Sequence, residues 1–180
     1  MGRSGRLTGR DLADLQRAVA GSPGTVTDFL ETLTGEPLVA DVVRQGPVAL
    51  GPGNDLEVVT GYGATHRIAV LKGATTDQPY VYAETMFVGD RLPEAARSQL
   101  EATAHPIGRV LVAHGLHPDR EPLAPSGEAL GQAPGDMAAS DSDIVWSRAY
   151  RLRLDGQPVF VIREWFLRSV LDAFGHRVGG

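Results

Sequence analysis

Residues 145–167, VWSRAYRLRLDGQPVFVIREWFL, decide how this chain is read. Two strand-like runs flank Asp155-Gly156-Gln157. Asp-Gly between such runs is a strong β-hairpin signal, because both residues tolerate the positive φ of a tight turn. In the second run, alternation puts Phe160, Ile162, Glu164 and Phe166 on one face and Val159, Val161, Arg163, Trp165 and Leu167 on the other. Both faces are apolar, so neither Arg163 nor Glu164 reads as the wet side of a half-buried strand. A buried carboxylate without a partner is costly, so Glu164 has to be paired, neutralised or put to use. In the first run Arg148, Tyr150, Leu152 and Leu154 share a face. Arg151 and Arg153, on the other, have the texture of a solvated side.

Working outward, THRIAVLKG (65–73) and PYVYAETMFVG (79–89) read as a second antiparallel pair joined by a turn through 74–78. PLVADVVRQ (37–45), VALG (47–50) and DLEVVTGYG (55–63) read as further strands. Helical spacing marks 8–20, where Thr8 and Asp11 resemble a capping box ahead of Leu12, Leu15 and Val19, and again 25–33. Asp90 with Pro93 predicts a helix start, running to about Ala102. Short helices are expected at 109–113 and 169–174. Residues 115–143 are rich in Gly, Pro, Ala and Asp. A structureless loop of that length is uncommon inside a compact domain except as a lid or a disordered segment. The expected architecture is α+β: a single antiparallel β-sheet flanked by helices, with a long flap loop. One domain spans residues 1–180, frayed at 1–9 and 176–180.

The composition excludes several classes of function. With 180 residues the chain buries a sizeable core without staples, and the absence of cysteine excludes disulfides, thiolate metal sites and a cysteine nucleophile. A net charge of −5 argues against nucleic-acid and acidic-membrane partners. Arg3, Arg6 and Arg10 are followed by no apolar run of signal-peptide type, and no run is long enough to span a bilayer. These features predict a cytoplasmic protein, monomeric or a homodimer. His114 and His117 have a helical ligand spacing but flank Gly115 and lead into Pro118, with no adjoining carboxylate, so no metal is expected. Gly51-Pro52-Gly53 and Gly61-Tyr62-Gly63 match neither dinucleotide nor P-loop patterns, and no GxSxG elbow is present.

The remaining signal is charge inside apolar strands. Arg67 shares a face with Ala69 and Leu71, and Glu84 aligns with Tyr80, Tyr82, Met86 and Val88. An arginine in a pocket suits a planar carboxylate, because its fork donates two parallel hydrogen bonds. The plainer reading pairs Arg67 or Arg148 with Glu84 or Glu164 as structural ion pairs.

HPIGRVLV (105–112), the gap after it, and VWSRAYRLRLDGQPVFVIREWFL together resemble the C-terminal half of the chorismate pyruvate-lyase family. That family carries a PLG-R-x-L segment, a W-x-R-x-x-R strand, a G-[KQ]-P turn and a strand ending E-x-F-L. THRIAVLKG, PYVYAETMFVG and the following DRLP (90–93) resemble its preceding hairpin, closest to the actinobacterial branch. The resemblance covers about residues 10–175. It implies cleavage of chorismate to 4-hydroxybenzoate and pyruvate without metal or organic cofactor. Matched position by position, it makes Arg67 the holder of a carboxylate and Glu164 the catalytic carboxyl near the ether and hydroxyl end. Ile107 and Gly108 close on the ligand, 115–143 forms flaps, and Arg148, Glu84 and Tyr82 line the pocket. Burial raises a carboxyl's pKa, which would let Glu164 donate from its protonated form. Glu84 stands where the enterobacterial branch has an arginine. A dianion would tolerate it only if it pairs with Arg67 or Arg148. Two alternatives share the scaffold: a lyase or cyclase acting on another substrate in natural-product biosynthesis, and a ligand sensor like the effector domain of GntR-type repressors. The residues before Pro37 are too few for the winged helix-turn-helix of such repressors.

Overall fold

The computed structural model describes residues 9–102, 104–123 and 143–178. Among these residues six strands form one antiparallel sheet: β1 (Leu38–Ala49), β2 (Gly63–Gly73), β3 (Pro79–Phe87), β4 (Asp119–Pro122), β5 (Ile144–Leu154) and β6 (Gln157–Leu167). Their spatial order is β1-β2-β3-β6-β5-β4, so the last strand of the chain pairs with β3 at the centre of the sheet. Among the described residues five helices complete the α+β fold: α1 (Gly9–Gly21), α2 (Val26–Thr34), α3 (Glu94–Ala102), α4 (Ile107–Ala113) and α5 (Arg168–Val178).

Each hairpin is held by local chemistry. Asp155 and Gly156 take φ values of 50° and 78°, the tight turn expected of Asp-Gly. The β2–β3 turn is pinned by Glu36, whose carboxylate accepts from the backbone N–H of Thr75 and Thr76 and from the hydroxyls of Thr76 and Tyr80. Pro47 is tolerated because β1 is an edge strand, where a missing N–H breaks no ladder. α2 opens on a capping box: Thr25 N–H donates to Asp28, and Asp28 N–H donates to the Thr25 hydroxyl.

The sheet buries both faces, but with different partners. One face carries two apolar clusters. Leu38, Ala40, Leu71, Val81 and Phe166 pack against Leu15 and Val19 of α1, Leu30 and Leu33 of α2, and Val170 and Leu171 of α5. Phe87, Tyr150, Leu152, Phe160 and Ile162 pack against Leu100 of α3 and Val110 and Leu111 of α4. The opposite face packs Ala64 and Val161 against Leu50 and Leu56.

Several elements differ from those read from sequence. Leu38–Ala49 form one strand with a bulge between Val42 and Arg44, where two strands were expected. Most of 55–63 is a turn-rich loop that inserts Leu56 into the second face's core; the positive φ of Glu57 and Gly61 bars extended pairing. A 3-10 turn at Gly89–Arg91 precedes α3, and Asp90 pairs with Arg97 instead of capping the helix. Asp119–Pro122 is the outer strand of the sheet, where a continuous loop was expected, and α5 runs on to Val178. The Thr8 cap and most of the flap, 124–142, lie outside the described residues. Arg151 and Arg153 are not simply solvated. Arg151 donates to both oxygens of Glu121 at 2.6 and 2.7 Å, and Arg153 bridges Glu121 and Glu57 at 2.9 and 2.6 Å. Hydrogen bonds from the two arginines hold the Glu121 carboxyl down at about 2 and tie β4 and the 50–62 loop to β5.

Candidate active site

Between the two helical halves of the helix-bearing face lies a cavity of about 440 Å³. Its floor is the sheet, with Arg67, Ala69, Ala83, Thr85, Tyr150, Ile162 and Glu164; residues 22–28 and helix α4 make the walls. The small side chains of Ala69 and Ala83, paired across β2 and β3, leave the space in which the cavity sits.

Arg67 and Glu164 are each 2% exposed, and both look into this cavity. Arg67 lies over the end of α3: its guanidinium donates to Leu100 O at 3.3 Å and to His105 O at 2.8 Å. A cation at a helix C-terminus meets its unpaired carbonyls and the negative end of its dipole. Burial lowers the Arg67 pKa, yet a guanidinium stays charged at any working pH. The two carbonyls use two of its five N–H groups, so the fork keeps capacity for a ligand carboxylate.

Glu164 is built as an acceptor. Arg148 Nε donates to one oxygen at 2.6 Å and the Tyr150 hydroxyl donates to the other at 2.9 Å. Both of these contacts use the Glu164 oxygens as acceptors, not as the donor expected from burial. Register explains the pairing: Arg148 stands directly opposite Glu164, and Tyr150 opposite Ile162. Burial, the largest single influence, lowers the Arg148 pKa, but the charge of Glu164, the neighbouring Tyr150 and the hydrogen bonds to both together outweigh it, and the net shift is upward. Arg148 is itself packed among the rings of Trp146, Tyr150 and Phe166, with its guanidinium carbon 5.1–5.8 Å from the ring centroids. Its buried Nη2 has no hydrogen-bond partner among the described residues, and the ring faces supply cation–π attraction in its place.

Of the residues singled out from sequence, Arg67, Glu164, Ile107 and Gly108 line the cavity. Arg148 stands behind Glu164 and does not line it. Tyr82 and Glu84 occur on the far face, because alternation gives the cavity their neighbours Ala83 and Thr85. Glu84 pairs there with His66 at 2.8 Å and with Arg163 at 3.3 Å, not with Arg67 or Arg148. Its charge is therefore answered on the far side of the sheet from the cavity. Among the lining residues not singled out as site candidates are Thr85, Tyr150 and Arg120.

Gly108 brings the start of α4 against the N-cap of α2. A Cβ there would lie 2.5 Å from Thr25 Cγ2 and 2.9 Å from Thr25 Cβ. Thr25 is locked by its capping box, so it cannot retreat. Gly108→Ala should destabilise the protein by about 1–3 kcal/mol through overpacking. Thermal unfolding checks this, and adding Thr25→Ser, which removes the clashing methyl, should recover part of the loss.

The sequence matches, over residues 21–174, the family described as Chorismate pyruvate-lyase Rv2949c-like. The chain belongs to that family. As a Chorismate pyruvate-lyase Rv2949c-like protein it is an enzyme, a carbon–oxygen lyase. A chorismate pyruvate-lyase of Mycobacterium leprae is 31% identical over 172 residues, which span 93% of this chain and 79% of that protein. One from Mycobacterium tuberculosis strain CDC 1551 is 29% identical over 182 residues, 95% of this chain and 86% of its own. Among solved structures, the effector domain of PhnF from Mycobacterium smegmatis shares the fold, with a TM-score of 0.50. It is 12% identical, and the match spans 81% of this chain and 90% of that one. Among the described residues no helix is long and apolar enough to cross a membrane.

Proposed function

We propose that this cavity binds chorismate and eliminates pyruvate from it, leaving 4-hydroxybenzoate. The observation that carries the reading is the placement of buried Arg67 and buried Glu164 on one floor with apolar walls between them. The two strands that bear them, β2 and β6, are separated by β3, so their backbones are roughly 10 Å apart across the sheet. A flat ring with a carboxylate at one end and oxygen substituents at the other matches that span. Membership of the family and two mycobacterial relatives named for this reaction support the same substrate.

In this reading Arg67 clamps the ring carboxylate with a charge-assisted fork. Ala69, Ala83 and Ile162 lie under the ring, and α4, with Ile107 and Gly108, covers it. Glu164 receives the ring proton whose loss creates the aromatic ring, and the hydrogen bond from Arg148 orients its carboxyl. Most of the acceleration then comes from orientation and from excluding water, because the driving force, aromatisation, is already in the substrate.

Incubation with chorismate should yield 4-hydroxybenzoate and pyruvate in equal amounts, detected by chromatography and a coupled pyruvate assay. Folded protein that binds 4-hydroxybenzoate but turns nothing over would overthrow the catalytic reading and leave a sensor.

A further inference from the structure

The polar groups that the strands bring to the cavity lining follow the order of the sheet. Arg67 sits on β2, Thr85 on β3, Glu164 on β6, Tyr150 on β5 and Arg120 on β4. The two arginines therefore stand at opposite ends, with the carboxyl–phenol pair between them. Four strand spacings separate β2 from β4, roughly 19 Å between backbones, and inward-reaching arginine side chains shorten that gap. The Arg120 guanidinium carbon lies 4.5 Å from the centroid of the Tyr150 ring, whose hydroxyl is held by Glu164. The two acids on the lining are already answered: Glu164 by Arg148, and Asp28 by the hydrogen bonds of the α2 cap. One carboxylate needs one clamp, and Arg67 supplies it. Arg120 gives the far end a positive charge that a monocarboxylate leaves unused.

Building on the lyase reading, we propose that Arg120 anchors the second carboxylate of a dicarboxylate substrate, the one borne by the leaving group, while the Tyr150 hydroxyl donates to the oxygen through which that group departs. The atoms balance within the cavity. The electron pair of the ring C–H bond becomes the third ring double bond, and the pair of the breaking C–O bond goes to the departing oxygen. The Tyr150 hydroxyl turns from Glu164 to that oxygen and gives it its proton, the ring proton passes to the Glu164 oxygen so freed, and Glu164 returns it to the Tyr150 phenolate. The leaving group departs as the enol of a 2-keto acid, which ketonises. Burial, and then the charge of Glu164, hold the Tyr150 phenol far above its ordinary pKa, so it acts undissociated.

Two ligands test the anchor without turnover: 4-hydroxybenzoate, with one carboxylate, and 3-(carboxymethoxy)-4-hydroxybenzoate, a stable dianion carrying the second on an ether arm. Calorimetric titration of the wild-type protein should favour the dianion. Arg120→Met should weaken the dianion by about five- to tenfold and leave 4-hydroxybenzoate within about twofold, with Arg120→Lys recovering part of the loss. Equal weakening of both ligands, or of neither, would overturn the assignment. Tyr150→Phe should lower kcat for chorismate by about tenfold or more with KM little changed; full kcat sinks the donor role. If the wild-type protein does not convert chorismate, the lyase reading and the donor role both fall, while the titrations still decide Arg120.

Discussion

Replacing Glu164 by glutamine should cost both turnover and stability, the largest combined loss of any single substitution in this protein. Glutamine keeps the shape but leaves the Arg148 guanidinium in a nest of three rings without its counter-charge. Removing one partner of a buried pair typically costs 3–5 kcal/mol, so we expect roughly that loss here. For a chain of this size it lowers Tm by on the order of 10 °C. Chorismate turnover, measured well below the new Tm, should fall by about two orders of magnitude or more, since the acceptor of the ring proton is gone. Adding Arg148→Met should return part of the stability and none of the activity. Wild-type turnover in Glu164→Gln would mean that the carboxylate only holds the strands together.

Arg67→Met should act on binding first. The methionine fills the space but withdraws donors from Leu100 O and His105 O, at a stability cost of about 1–3 kcal/mol. A ligand carboxylate loses its charge-assisted partner as well, worth roughly 2–3 kcal/mol, or about a hundredfold in affinity. Titration with 4-hydroxybenzoate measures that directly, and Arg67→Lys should recover only part because the fork is lost. Unchanged affinity in Arg67→Met would leave the arginine a helix-capping residue and place the carboxylate elsewhere.

Much of the site could be read before the fold was known. The Asp-Gly turn sets Arg148 and Glu164 on adjacent strands, and period-two alternation correctly separates Glu164 from Arg163. Alternation does not say which face of a strand meets the cavity when both faces are covered. That is why Tyr82 and Glu84 read as pocket residues although Ala83 and Thr85 hold that place. Hairpin register carried a second trap. Counting back from the turn sets Arg148 opposite Arg163, but a bulge between Leu152 and Arg153 shifts the ladder so that Arg148 meets Glu164. Tyr150 was visible as a face-mate of Arg148, and its hydroxyl was the missing cue. Arg120 was hidden by composition: Pro118, Pro122 and the glycines beyond give its surroundings the texture of a loop. The four residues of β4 are too few to show a period of two.

The pairing of β3 with β6 also has a kinetic side. Arg67 belongs to a meander of β1, β2 and β3, while Glu164, Tyr150 and Arg120 belong to a second meander of β4, β5 and β6. Each can zip locally, but the ladder joining them links residues about eighty positions apart, and contacts of such separation are made late because loop closure must come first. The candidate site is thus complete only when β6 has paired with β3. A ligand touching Arg67 and Glu164 together bridges that junction. Such a ligand would stabilise the joined state by an amount that grows with the logarithm of its free concentration above Kd, long after the site is full.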